Sequence, residues 1–229
     1  IMMKDGKMSK SKGNTVYPEK LIDRYGLDAT RYYLLRVMPV SQDGVYTPED
    51  FVERYNSDLC NDLGNLVNRT VSMVNKYFEG VVPEYNGTPN EVDKEFEAFT
   101  EDQIKKIEDY MENYQLLNAL QEIWAVISRT NKYIDETRPW ELEKNGETEK
   151  LKSSMYHLIE NIRKIGIVLL PFMEETAKNL LHQIGVEEGL QTWESLYKYD
   201  SLKDTKVIEK GEPLFMRKKL EEELEYLKN

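Results

Sequence analysis

The fold is decided by one stretch of the chain, Thr47-Pro48-Glu49-Asp50-Phe51-Val52-Glu53-Arg54-Tyr55. A threonine hydroxyl caps a helix start well, proline suits the first helical position, and two acidic residues favour the positive end of the helix dipole. Apolar residues then recur every three or four positions as far as Phe78, which is the spacing of one helix face. The sequence therefore predicts one long amphipathic helix over residues 48–78, ended by Gly80.

Further helices are predicted downstream by the same spacing of apolar residues. They cover about residues 91–112, 114–137 and 148–170, and a last one runs from Pro171 to about residue 185. Pro139 ends the helix before it, since proline cannot continue a helical hydrogen-bond ladder. Because no sustained strand alternation is present, we predict an all-α antiparallel helical bundle over residues 47–206.

The segment before the bundle, residues 1–46, is predicted to begin with a small β-hairpin. Ile1-Met2-Met3 runs into the turn signal Asp5-Gly6, as if the chain were entered mid-strand. We therefore expect a fragment of a longer protein.

Two short helices are predicted to follow the hairpin. They cover residues 18–25 and 29–38, with Asp28 as the cap of the second, and a turn-rich connector covers residues 39–46.

The tail, residues 207–229, differs in character from the bundle. It holds Gly211 and Pro213, and from Arg217 onward it is charged throughout. We predict an extended path over 207–215 and then a solvated helix that leads out of the bundle.

Composition restricts the classes of function. The formal net charge is −11, which argues against a general nucleic-acid binder, because non-specific affinity for phosphates comes from clustered Lys and Arg. Residues 1–36 reverse this balance, with eight Lys and Arg against four Asp and Glu. With Cys60 as the single cysteine and only His157 and His182, we expect no internal disulfide and no metal site. No apolar run approaches the roughly 20 residues of a membrane span, so we expect a cytoplasmic protein.

A short stretch near the start of the chain is typical of an anion-handling loop. It reads Lys7-Met8-Ser9-Lys10-Ser11 and lies between Gly6 and Gly13, which permit a loop to move. Lysines act as mobile point charges on phosphate oxygens, and they matter most where negative charge develops during a transfer reaction. Lysines and serines in any other order would more often be a solvated basic loop.

The order of these residues resembles the signature loop of class I aminoacyl-tRNA synthetases. Together with stretches downstream, the chain resembles the C-terminal part of methionyl-tRNA synthetases, from the signature loop through the anticodon-binding domain. The downstream stretches are Asp28-Ala29-Thr30-Arg31-Tyr32-Tyr33-Leu34, Asp62-Leu63-Gly64-Asn65-Leu66-Val67-Asn68-Arg69, Asn131-Lys132-Tyr133-Ile134-Asp135-Glu136-Thr137-Arg138-Pro139-Trp140 and Gly211-Glu212-Pro213-Leu214-Phe215.

The resemblance implies an enzyme that, when intact, joins methionine to its tRNA with ATP through a methionyl-adenylate. It implies that Lys7 and Lys10 hold the ATP phosphates, with Ser9 and Ser11 in the same catalytic loop, and that Mg²⁺ accompanies ATP. The second ATP motif of the family contains two histidines, and neither His157 nor His182 fits it. We therefore expect this fragment to lack the N-terminal catalytic domain with the nucleotide-binding fold, to bind no cofactor and to be inactive alone.

The resemblance also implies that Asn65, Arg69 and Trp140 meet the anticodon loop of methionine tRNA. Asn65 and Arg69 are four residues apart on a predicted helix, so both side chains lie on one face. An indole can stack on an unstacked loop base, and single-stranded loops are where proteins read RNA sequence. By residue type alone, the pair would more often be an exposed helix face and Trp140 a lid on the core. Trp124 lies among apolar neighbours and is predicted to be core.

Two alternatives remain open from the sequence. One is the anticodon-binding part of another class I synthetase. The other is a helical module whose acidic faces bind a basic protein partner. The oligomeric state is also open.

Overall fold

The structure is a computed structural model that describes residues 1–4, 6–38, 42–85, 87, 89–198, 202 and 204–228. A small sheet opens the chain, with strands β1 (Met2–Met3), β2 (Gly6–Lys7) and β3 (Val45–Tyr46) in the order β2-β1-β3. β1 pairs antiparallel with β2 and parallel with β3. The predicted hairpin is confirmed, although Asp5 of its turn lies outside the described residues. β3 was not predicted, because two residues are too few to show strand alternation.

The two predicted short helices are present as α1 (Pro18–Tyr25) and α2 (Leu27–Val37). The prediction that Asp28 caps α2 is wrong, since Asp28 lies inside that helix. Its carboxylate instead accepts a hydrogen bond of 2.7 Å from the backbone N–H of Thr176, in the first turn of a helix near the other end of the chain. Asp28 therefore stabilises a distant helix start, where unpaired N–H groups need an acceptor.

The predicted long helix begins and ends where expected. Thr47 Oγ1 accepts from the N–H of Asp50, and the helix runs from α3 (Pro48–Arg54) through to α4 (Asn65–Phe78). Between them, however, the backbone forms a π-helix over Tyr55–Gly64, a kind of helix in which N–H groups bond to carbonyls five residues back. The sequence did not predict this widened segment, because apolar side chains at four-residue spacing fit both kinds of helix.

The rest of the bundle confirms the predicted all-α fold. It consists of α5 (Glu91–Glu112), α6 (Leu116–Thr137), α7 (Pro139–Lys144), α8 (Thr148–Leu169) and α9 (Glu174–Gln183). The short helix α7 was not predicted. Residue Arg138, with a left-handed φ of 45°, separates it from α6, and Pro139 takes its first position.

Helix α8 lies at the centre of the bundle, in contact with α4, α5, α6, α7 and α9. All its residues from 153 to 169 are buried. No helix in the described part of the chain is long and apolar enough to span a membrane.

Polar side chains cross the interface between α5 and α8. His157 of α8 contacts two acceptors, Glu97 Oε1 through Nε2 and the carbonyl of Ser153 through Nδ1, each at 2.7 Å. Asp93 of α5 accepts hydrogen bonds from Tyr133 and Ser153. Burial lowers the pKa of His157, but the hydrogen bonds to Glu97 and Ser153 outweigh it, so the pKa of His157 is raised.

The tail ends in α10 (Leu220–Lys228), and the prediction of a solvated helix leading away is wrong. Helix α10 packs back against α3, and its Glu223, 1% exposed, pairs with Arg24 of α1. Asn56 also holds the tail, because its side chain both donates to the carbonyl and accepts from the N–H of Lys218, each at 2.9 Å. Because these partners lie far away in sequence, the charged residues of the tail alone led to the prediction of a solvent-exposed helix.

Candidate nucleic-acid interface and anion-binding loop

Asn65 and Arg69 lie at the start of α4, immediately after the π-helix. The N–H of Asn65 donates to the carbonyl of Cys60, which is the last five-residue bond of that segment. Both side chains are exposed, whereas Leu66 and Val67 between them are buried. Helical spacing therefore presents an amide and a guanidinium to solvent about one turn apart on the same face.

Arg69 lies opposite the C-terminal half of α6. Its Nη2 is 4.0 Å from Asp135 Oδ1, and both side chains are largely exposed. Ion pairs this open to solvent contribute little to stability, about 0–1 kcal/mol. The guanidinium is thus free to exchange its carboxylate partner for another anion.

Asn131 holds the same end of α6 against the π-helix. Its amide donates to the carbonyl of Asp62 at 3.1 Å and to Ile127 of its own helix at 3.2 Å. Asn131 and Asp135 are four residues apart, so one face of α6 contacts both the π-helix and Arg69. The sequence did not assign a contact to Asn131, although it lies in the stretch quoted with Trp140.

Trp140 lies on α7, which follows this end of α6. Its side chain is 41% exposed, and the buried Pro139 before it anchors the helix start. Trp124 of α6 is only 7% exposed and packs on Tyr32 with ring centroids 4.3 Å apart, as predicted for a core residue. Of the three tryptophans, Trp140 is exposed and Trp124 is buried, while Trp193 is partly buried.

The signature loop of residues 7–11 is ordered by its own serines and by Asn14. The N–H of Ser9 donates to Asn14 Oδ1 at 2.8 Å, and the hydroxyls of Ser9 and Ser11 share a hydrogen bond of 2.9 Å. A 3-10 turn over Lys10–Lys12 closes through the N–H of Gly13, whose φ of 68° is readily adopted by glycine.

The lysines of this loop are exposed. Within the described residues, neither Lys7 nor Lys10 forms an ion pair. Below the loop lies a mostly apolar cavity of about 190 Å³, lined by Met8 together with residues of α1, α2 and β3. The loop is thus anchored by Met8 while its ammonium groups face solvent.

Comparison with family models identifies both parts of the chain. Residues 1–71 match the model described as tRNA synthetases class I (M). Residues 82–229 match the anticodon binding domain of methionyl tRNA ligase. The chain belongs to the methionyl-tRNA ligase family. The sequence had left open a part of another class I synthetase and a helical module that binds a protein partner. These matches support the methionyl-tRNA ligase family instead.

Individual members of the methionyl-tRNA ligase family are similar over the whole chain. A methionine–tRNA ligase of Bacillus subtilis is 53% identical over 230 residues, and one of Listeria innocua is 51% identical over 232 residues. Each alignment covers 100% of this chain but only 34% and 35% of the relative. The chain therefore spans about a third of the length of these relatives.

Solved structures of the family share the fold. The Mycobacterium tuberculosis methionyl-tRNA synthetase in complex with methionyl-adenylate superposes with a TM-score of 0.86 at 30% identity, covering 94% of this chain and 43% of that one. The free form of the same protein gives 0.83 at 28% identity, covering 89% and 41%.

Proposed function

We propose that this chain is the part of a methionine–tRNA ligase that carries the ATP-binding loop and binds the anticodon. The intact protein joins methionine to its tRNA with ATP, through a methionyl-adenylate, in the cytoplasm. Family membership supports this reaction. The exposure of the residues named below supports ATP binding by the loop and anticodon binding by the bundle. Residues 1–46 form the loop-bearing segment, residues 47–206 the anticodon-binding bundle and residues 207–229 the tail.

In this proposal the signature loop binds the ATP phosphates, with Mg²⁺ accompanying the nucleotide. Lys7 and Lys10 supply two exposed ammonium groups, and the hydroxyls of Ser9 and Ser11 lie between and beside them. Charge developing on the phosphates in the transition state is what such donors stabilise. The part of the site that binds methionine lies outside this chain, so the chain alone is inactive.

The anticodon is bound around the C-terminal end of α6, which lies opposite Arg69 of α4 and leads into α7. Asn65 offers an acceptor and a donor pair to a base edge, and Arg69 offers a planar fork to a base or a phosphate. Trp140 supplies a ring on which an unstacked base lies. The exposed indole of Trp140 is the observation that carries this assignment, because a buried indole could not stack on RNA.

The deciding experiment replaces Trp140 with alanine in the full-length protein. Tyr197→Ala is a matched control, since Tyr197 is 42% exposed, close to the 41% of Trp140. Stacking is worth about 1–3 kcal/mol per base, so Trp140→Ala should lower kcat/KM for methionine tRNA about tenfold or more. The rate of adenylate formation, measured as ATP–pyrophosphate exchange without tRNA, should stay within about twofold of the parent.

The anticodon assignment fails if Trp140→Ala leaves kcat/KM for tRNA within about twofold of the parent. A second comparison uses a methionine tRNA altered only in its anticodon. Equal weak binding of both tRNAs would indicate general attraction to phosphates rather than recognition.

A further inference from the structure

Tyr32 joins three elements of the fold. It lies on α2, it is 1% exposed, and its ring packs on Trp124 of α6. Its hydroxyl donates to Asp58 Oδ2 at 2.7 Å. Asp58 belongs to the π-helix, so one buried side chain connects α2, α6 and that segment.

The π-helix leads directly into Asn65. Segments of this kind are rare, because i→i+5 bonding widens the helix, and they occur frequently at functional sites. This one is held from three sides: by Tyr32 at Asp58, by the tail at Asn56 and by α6 at Asp62. Its position determines where α4 begins and therefore where Asn65 and Arg69 face.

Helix α6 carries the other half of the proposed anticodon site. Its residue Asp135 lies opposite Arg69, and its end leads to α7 and Trp140. Tyr32 contacts α6 through its ring and the π-helix through its hydroxyl. It therefore bridges the π-helix, which leads into Asn65 and Arg69, and the helix that leads to Trp140.

We infer that Tyr32 is a positioning residue for anticodon recognition, acting through Asp58 and the π-helix without touching RNA. This inference rests on the proposed function. The chemistry supports it: burial raises the pKa of Tyr32, and the charge of Asp58 raises it further, so the hydroxyl stays protonated and donates. Arg54 Nη1 lies 3.7 Å from Asp58 and keeps that carboxylate partnered.

The chain provides a matched control one residue away. Tyr33 lies on the same helix, is 2% exposed, and donates its hydroxyl to Asp50 Oδ2 at 2.9 Å. Asp50 lies in α3, before the π-helix. Tyr32→Phe and Tyr33→Phe thus each remove a buried tyrosine's hydroxyl from a partly buried hydrogen bond to an aspartate, and only the first bond holds the π-helix.

The test compares both variants with the parent in the full-length protein. Tyr32→Phe should raise KM for methionine tRNA about fivefold or more and weaken discrimination against a tRNA altered in its anticodon. Tyr33→Phe should leave both within about twofold, and ATP–pyrophosphate exchange should be unchanged in both variants. A purely structural role would lower the thermal midpoint of each without separating them in KM.

Asp58→Asn provides a second route to the same bond, since an amide oxygen still accepts from Tyr32. It should give a smaller rise in KM than Tyr32→Phe, and the double variant Tyr32→Phe with Asp58→Asn should be no worse than Tyr32→Phe alone. If the rises in KM of the two single variants simply add in the double variant, the assignment is contradicted. It is also contradicted if Tyr32→Phe folds but has the same KM and the same discrimination between tRNAs as Tyr33→Phe.

Failure of this inference can be separated from failure of the proposed function. If Trp140→Ala impairs tRNA charging and Tyr32→Phe does not, only the role of Tyr32 is wrong. If neither variant impairs charging, the anticodon site itself is misassigned.

Discussion

Arg24 and Glu223 lie 199 positions apart in the chain and form a two-point ion pair. Nη2 of Arg24 is 2.7 Å from one carboxylate oxygen, and Nε is 3.1 Å from the other. Burial raises the pKa of Glu223, but the hydrogen bonds from Arg24 outweigh it, so the pKa of Glu223 is lowered. The pair fastens the last helix to the segment that follows the signature loop.

We expect Glu223→Gln to lower the thermal midpoint by about 3–6 °C, because Arg24 then loses its buried carboxylate partner. Glu222→Gln is the control, since Glu222 is exposed and pairs with Lys219, the residue just before its own helix. Calorimetry checks both variants. Because the folded pKa of Glu223 is lowered, the contribution is present at neutral pH and is lost as the pH falls below about 4.5. Equal midpoints for the two variants would show that the pair does not hold the helix.

A pH dependence is predicted at His157. Its folded pKa is raised above 6.5, so its contribution to the free energy of unfolding is complete below that pH and is lost as the pH rises through the folded pKa. Denaturant unfolding at pH 6 and pH 8 measures this. His157→Gln should cost about 1–3 kcal/mol at pH 6 and should cost less at pH 8.

The other histidine provides the control for this experiment. His182 is exposed, so His182→Gln should leave the difference between pH 6 and pH 8 as it is in the parent. A parent protein whose stability does not fall between these pH values would contradict the assignment to His157.

Lys10 is predicted to act in adenylate formation. Lys10→Ala in the full-length protein should slow ATP–pyrophosphate exchange at least about tenfold, with KM for methionine nearly unchanged, because an ammonium group at the phosphates acts mainly in the transition state. Lys12→Ala is the control, since Lys12 is exposed in the same 3-10 turn but lies outside residues 7–11 of the signature loop. Similar losses in both variants would indicate a general effect of charge.

Much of the fold could be predicted from local patterns. Thr47 begins its helix as expected, and apolar spacing located the long helices to within a few residues. What the sequence did not reveal depends on distant partners. Asp28 has the form of a local cap but bonds Thr176, and α10 has the charge of a solvated helix but buries Glu223.

The candidate site, too, was predictable only in part. The exposure of Asn65, Arg69 and Trp140 agrees with the interpretation drawn from their order in the chain. Their roles come from the family resemblance and stay predictions until tested. The π-helix before Asn65 had no visible signal, because the contacts that hold it come from Tyr32, Lys218 and Asn131 on three other elements.

The contacts of α2 limit how the protein can be shortened. A version that starts at residue 47 keeps α9 but lacks the carboxylate of Asp28 that its first turn requires. It also strips Trp124 of its ring partner and uncovers apolar surface at the heart of the bundle. We expect a protein shortened in this way to aggregate and to be expressed poorly, so experiments on the proposed anticodon-binding bundle should retain residues 1–46.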